Sequence, residues 1–169
     1  MSIKIKNATI GSISRGTLRT SDLFQAFGSE LERQFFNNGD FFGRPENFDL
    51  RDTLNRIIGE WEDNTDDDGK MIDEELAEEM VNKTLPETLQ SWFTPPFAYF
   101  GAHPGDGSDF GFWPMKIDDI KEQIEFFSTK DQEYPDHDFV GEWLHINERG
   151  NCTLYVREVG NDTEIWSVV

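Results

Sequence analysis

Between Glu62 and Glu79 the chain reads EDNTDDDGKMIDEELAEE, ten carboxylates and one lysine within eighteen residues. Charge at that density cannot enter a core, because an unpaired buried charge costs several kcal/mol. The stretch must therefore stand in water or face a cation or a basic partner. Its second half carries Ile72, Leu76, Ala77, Met80 and Val81 on one side of a helical projection, and Glu74, Glu75, Glu78 and Glu79 on the other. One side is suited to hold the fold while the other displays charge.

What such a tract can fold against is set by the rings. Fifteen Phe and five Trp supply a core of aromatic side chains, which bury much area per residue and pack edge to face. The formal charge of −19, from 34 acids against 15 bases, excludes a simple nucleic-acid binder, since binding to phosphate is driven by Lys and Arg releasing counterions. An anionic membrane surface is disfavoured for the same reason. Residues 1 to 20 hold Lys4, Lys6, Arg15 and Arg19 and no acid, while the tracts 63 to 79 and 101 to 139 carry most of the negative field. One cysteine, Cys152, forms no internal disulfide, and no run of eighteen apolar residues or apolar leader segment is present, so a cytoplasmic protein is the expectation.

Along the chain, Ile3 and Ile5 alternate with lysines in a segment, 2 to 18, that suits one strand or an extended arm. Leu23, Phe24, Phe27, Leu31 and Phe35 recur at three and four residues and predict a helix over Ser21 to Phe36, capped by Thr20 or Ser21 and ended by NNGDFFGRP. Asp49 starts a second predicted helix, Leu50 to Glu62. A third runs Asp73 to Lys83, and Pro86 permits a new short one carrying Leu89, Trp92 and Phe93.

Past Pro95 and Pro96 the period changes from 3.6 to 2. Phe97 to Gly101 and Asp109 to Trp113 read as strands joined by AHPGDGS, followed by a helix over 117 to 127. EWLHI, CTLYVRE and TEIWSVV, with turns at ERGN and GND, read as a three-stranded antiparallel meander. The expected fold is one α+β domain over 1–169: a helical N-terminal half packed with a small antiparallel sheet from 97 to 113 and 140 to 169.

Three constellations carry candidate chemistry. Asn64, Asp66, Asp68, Gly69, Met71 and Glu75 match the spacing of a calcium loop, with oxygen ligands at positions 1, 3 and 5, glycine at 6 and a carboxylate at 12. Asn at position 1, Ile72 at position 9 and the lack of a second hand depart from that pattern, and a solvated acidic loop ending in a helix cap explains it as well. His103 with Asp106 and Asp109, and Asp136, His137 and Asp138, pair a histidine with carboxylates, yet without any fixed helical or strand spacing they read as turn residues. Cys152 falls on an apolar strand face and reads as core.

The third constellation is the charge itself. A globule of this length spans about 40 Å, and duplex DNA of that length carries about two dozen phosphates at one per roughly 1.7 Å, the same order as −19. Glu74 with Glu78, and Glu75 with Glu79, would stand about 6 Å apart along a helix axis. Asp118, Asp119 and Glu122 form a second such row. A surface of this kind also serves simply to keep a protein dissolved.

SRGTLRTSDLFQAFGSELERQ, DFGFW and GNCTLYVREVGNDTEIWSVV together resemble small acidic proteins encoded by bacteriophages and mobile elements. The matching residues are Gly16 to Arg19, Asp22, Leu23, Phe27 and Leu31, then Asp109 and Gly111 to Trp113, then Gly150, Asn151, Thr153 to Tyr155 and Trp166 to Val169. The resemblance implies a phage setting and no catalytic signature, since most such proteins have no assigned activity. Charge and resemblance together lead to the expectation of a non-enzymatic protein, without a cofactor, acting in the host bacterial cytoplasm. It would inhibit a basic, nucleic-acid-handling defence protein by charge mimicry through Asp66, Asp67, Asp68, Glu74, Glu75, Glu78, Glu79, Asp118, Asp119 and Glu122. The alternative is a calcium-binding interaction module using Asn64, Asp66, Asp68 and Glu75. A small structural or accessory phage protein is third.

Overall fold

The computed structural model describes residues 5–169, so the expected role of Ile3 in an N-terminal strand lies outside the described residues. Within the arm, Ile5 and Ala8 are buried, the Ala8 N–H donates to the Phe93 carbonyl at 3.0 Å, and Gly11–Ser14 forms strand β1. The fold is α+β, with helices in the N-terminal half and an antiparallel meander at the C-terminus.

Helix α1 (Thr20–Asn37) buries the expected stripe of Leu23, Phe24, Phe27 and Leu31. Neither Thr20 nor Ser21 caps it. The position before the helix is Arg19, and Thr17 does the local work, accepting from the Arg19 N–H at 3.1 Å and donating to Asp22 at 2.6 Å. A one-turn helix α2 (Gly39–Phe42) follows, seating Phe42 on Phe35 with ring centres 4.7 Å apart. Helix α3 (Phe48–Asp63) starts earlier than Asp49 would set it and buries Leu54, Ile57, Ile58 and Trp61.

The third and fourth predicted helices are one continuous run, 74 to 92. It begins as α4 (Glu74–Glu79), widens to a π-helical turn over Met80–Thr84, and continues as α5 (Leu85–Trp92). Pro86 has no N–H for the Asn82 carbonyl, and its ring would press on that carbonyl in a regular helix. The wider turn sits where that conflict falls, so the proline is accommodated instead of starting a new helix.

Strands β2 (Ala98–His103) and β3 (Asp106–Pro114) pair as a hairpin that extends into the expected loop, leaving Pro104 and Gly105 as the turn. With β1 they form a three-stranded sheet in the order β1-β3-β2. Phe42, Phe93, Ala98 and Phe100 are buried, Phe41 and Trp92 are partly buried against the same core, and Phe100 packs on Phe27 and Phe112.

Helix α6 (Ile117–Gln123) is shorter than the predicted 117 to 127. Ile124 is already extended, and Phe126–Ser128 forms β4, parallel to Trp143–His145 of β5 (Gly141–Ile146). Pairing with a neighbouring strand overrides the helical period there. Strands β5, β6 (Cys152–Glu158) and β7 (Asn161–Val168) form the expected meander, in a second sheet of order β4-β5-β6-β7 rather than one sheet shared with β2 and β3. The turn between β6 and β7 is Val159–Gly160, both at positive φ (49° and 81°), so Asn161 and Asp162 lie in the strand and not in the turn.

Two cores result. The first gathers α1, α3, the 74 to 92 helix and the β1-β3-β2 sheet. The second gathers Ile120, Leu144, Ile146, Cys152, Leu154 and Trp166. They meet at Ile10, packed against both, and at Trp166, whose indole N–H donates to the Pro96 carbonyl at 2.8 Å.

Candidate partner-binding surface

The acidic tract is built on one buried amide. Asn64 lies at the end of α3, almost without exposure, and its side chain bonds both backbone groups of Asp73: Oδ1 accepts from the Asp73 N–H at 2.6 Å and Nδ2 donates to the Asp73 carbonyl at 2.9 Å. Between them the loop folds back on itself. Thr65 faces Met71 in a β-bridge, and Asp66 Oδ1 accepts the N–H groups of Asp68 and Lys70 at 3.0 and 2.8 Å. Asp73 then caps α4, accepting from the Leu76 N–H at 3.1 Å. Replacing Asn64 with Ala strips both Asp73 groups of their partner and is expected to cost about 1–3 kcal/mol in urea denaturation. A variant as stable as the parent would show that the amide does not hold the loop.

This geometry decides how the tract presents its charge. Ala77 and Met80 are buried against the first core, while Asp66, Asp67, Asp68, Glu74, Glu75, Glu78 and Glu79 are all exposed. Among the described residues, no ion pair includes any of the ten carboxylates of the tract. Ile72, 66% exposed, is the one large apolar side chain standing out among them. The result is a row of exposed carboxylates on a helix whose opposite side is packed into the first core.

The same geometry argues against the calcium spacing. Asn64 Oδ1 is taken by Asp73 and the chain closes as a small hairpin instead of wrapping a central point. Asp66, Asp68 and Glu75 are not gathered, and among the described residues no three His, Cys, Asp or Glu side chains come together as a metal site would need.

Asp118, Asp119 and Glu122 are exposed on α6, with Asp118 3.9 Å from Lys121. They belong to the second core's helix, so the two acidic rows stand on different cores. α6 ends at Gln123, one residue past Glu122, so the row is no longer than these three residues.

His103, Asp106 and Asp109 lie in β2 and β3 beside the Pro104 and Gly105 turn, whereas His137 and Asp138 lie in a turn. His103 Nδ1 accepts from the Gly105 N–H at 3.1 Å and its ring meets Trp113 edge-on at 4.6 Å. Asp106 accepts from the Ser108 N–H and hydroxyl, which hold its carboxyl below the usual range, and Asp109 accepts from the Ser12 hydroxyl. Cys152 is buried, and burial pushes its thiol up, away from the reactive thiolate.

Compared with protein-family models, with curated proteins and with solved structures, the chain matches none.

A second cluster escaped the sequence reading. The segment 129 to 140 crosses the outer face of the β4–β7 sheet and is anchored by Arg157. Its Nη1 donates to the Pro135 and Asp136 carbonyls, while Nε and Nη2 reach Asp162 at 2.8 and 2.6 Å. Trp143 lies buried beneath this segment, its indole N–H bonded to Asp162 Oδ1 at 2.9 Å and its ring stacked on Tyr155 at 4.8 Å. A signal was present in the strands. Trp143 and Tyr155 alternate with Leu144 and Leu154, so both faces of the meander carry apolar bulk and both need cover.

Proposed function

We propose that this chain is a non-enzymatic, phage-type inhibitor that occupies the basic groove of a host nucleic-acid-handling protein in the bacterial cytoplasm. The observation that carries this reading is the row Glu74, Glu75, Glu78 and Glu79, exposed and unpaired on a helix whose other side is locked into the core. Carboxylates carried at helical spacing on a packed helix meet Lys and Arg that otherwise hold phosphates, and they do so without the entropy loss of ordering the backbone. Asp66, Asp67 and Asp68 extend the row through the stapled loop. The field of a −19 chain would also speed encounter and make it sensitive to salt. Asp118, Asp119 and Glu122 contribute to that field from the second core.

The test reverses the row. In a bacterial lysate, the immobilised wild-type chain is expected to capture a nucleic-acid-binding protein that duplex DNA displaces and that added salt releases. The variant Glu74→Lys, Glu75→Lys, Glu78→Lys, Glu79→Lys keeps Ala77 and Met80 in the core and is expected to lose at least about 100-fold in affinity for that protein, about 0.7 kcal/mol for each reversed charge. If the variant binds the same protein with wild-type affinity and salt dependence, the charge-mimic reading is wrong.

A further inference from the structure

On the outer face of the second sheet, away from the acidic helix, the crossing segment leaves a hollow of about 240 Å³ between itself and strands β5 and β6. Its floor and walls are rings. Trp143 and Tyr155 stack, and Tyr134 and His145 stand edge-on to Trp143 with ring centres 5.9 and 6.4 Å away. Its rim carries two carboxylates, Glu133 and Asp131, the latter 3.7 Å from His145 Nε2, and among the described residues neither lysine nor arginine lines it.

The rim is held in place by its own hydrogen bonds. The Ser128 hydroxyl lies 3.0 Å from both Glu133 Oε2 and the Lys130 carbonyl, which share its one proton, and Arg157 holds Pro135 and Asp136 beyond it. Gln132, between the two acids, is kept at a φ of 67°, a left-handed conformation that a glutamine adopts only when its surroundings fix it. Tyr134 is 59% exposed, so the wall it forms opens to solvent.

Rings surrounding a small space, with carboxylates at the mouth and no lysine or arginine among the described lining residues, attract an organic cation through the negative faces of the π systems and through the rim charges together. The volume lies below the range for whole small-molecule ligands and suits the head of one side chain. A guanidinium fits better than an ammonium: it is planar, weakly hydrated, stacks on aromatic faces and can offer its N–H groups to Asp131 and Glu133. We propose that this hollow is a binding site for an arginine side chain presented by a protein partner. The inference needs only the hollow, and it stands whether or not the acidic helix acts as a charge mimic.

The test uses the isolated protein and no partner. Chemical shifts of the Trp143 indole N–H and of the His145 and Tyr155 amides are followed while N-acetyl-arginine methylamide is added. The neutral isostere N-acetyl-citrulline methylamide and tetramethylammonium are titrated in parallel. Saturable shifts with the arginine probe are expected, at least about tenfold tighter than with citrulline, since removing the cation forfeits upward of roughly 1.4 kcal/mol. Tyr134→Ala, at an exposed wall, is expected to abolish them while the remaining spectrum stays that of a folded chain. Equal binding of citrulline would mean neutral ring packing only, and tetramethylammonium binding without arginine would mean a site for small quaternary amines. Either result overturns the proposal, as does the absence of any saturable shift.

Discussion

A leucine at position 28 is expected to lower the melting temperature by roughly 10 °C. Gly28 lies in the middle of α1, where glycine is otherwise costly, and the reason is the neighbouring helix. A Cβ placed there would stand 2.1 Å from both Cε2 and Nε1 of Trp61. The indole of α3 lies flush on the α1 backbone, tilted against Phe24 with ring centres 6.5 Å apart, and it is buried with no hydrogen-bond partner for its N–H among the described residues. Any side chain at 28 must push that ring out of a packed core.

Alanine is the sharper experiment, because two effects of known sign compete. Helix propensity favours Ala over Gly by about 1 kcal/mol, while forcing a methyl into a filled core costs about 1–3 kcal/mol. Gly28→Ala is therefore expected to destabilise by about 1 kcal/mol. In a Trp61→Leu background, where the ring is gone, the same change is expected to stabilise by about the propensity difference. That inversion is the mark of a contact between the two residues. A single Gly28→Ala variant more stable than the parent would mean that Trp61 does not seat on α1.

This contact also marks where the sequence stops being legible. The stripe Leu23, Phe24, Phe27, Leu31 and the alternation of β5, β6 and β7 are local periods, and the elements they predict form with small shifts of boundary. The exposed glutamates of α4 follow from the same logic, since Ala77 and Met80 leave the helix only one way to face.

What is not local is not legible. The joining of two helices across Pro86 depends on a π turn, and the ending of α6 before Phe126 depends on a parallel partner, Trp143 to His145, that lies well beyond it in the chain. The division into two sheets is of the same kind. Arg157 and Asp162 are read from the sequence as a strand end and a turn. Only the two-residue turn at Val159 and Gly160 sets them directly opposite each other.

That last pair gives the chain an acid-sensitive fastening, and Asp162→Asn is expected to reveal it. Asp162 is held below the usual carboxylate range, first by the Arg157 guanidinium and next by the Trp143 indole N–H, with burial opposing both. A carboxylate favoured in its charged form by folding contributes stability that is fully present above the pKa of the unfolded chain, near about 4, and lost as pH falls through the lower folded value.

Asparagine keeps the shape and one acceptor but has no charge to lose. The variant is therefore expected to melt roughly 5 °C below the parent at neutral pH. The two melting curves should converge on acidification, because protonated Asp162 is close to its own amide isostere. Comparing the pair at each pH cancels the contribution of the other carboxylates. Hydrogen exchange should place the loss in the segment 129 to 140, whose Pro135 and Asp136 carbonyls depend on Arg157 staying in position. Melting curves that run parallel from neutral pH down to strong acid would mean that Arg157 and Asp162 are not paired in solution, and the hollow between the crossing segment and Trp143 would then lack the anchor that shapes it.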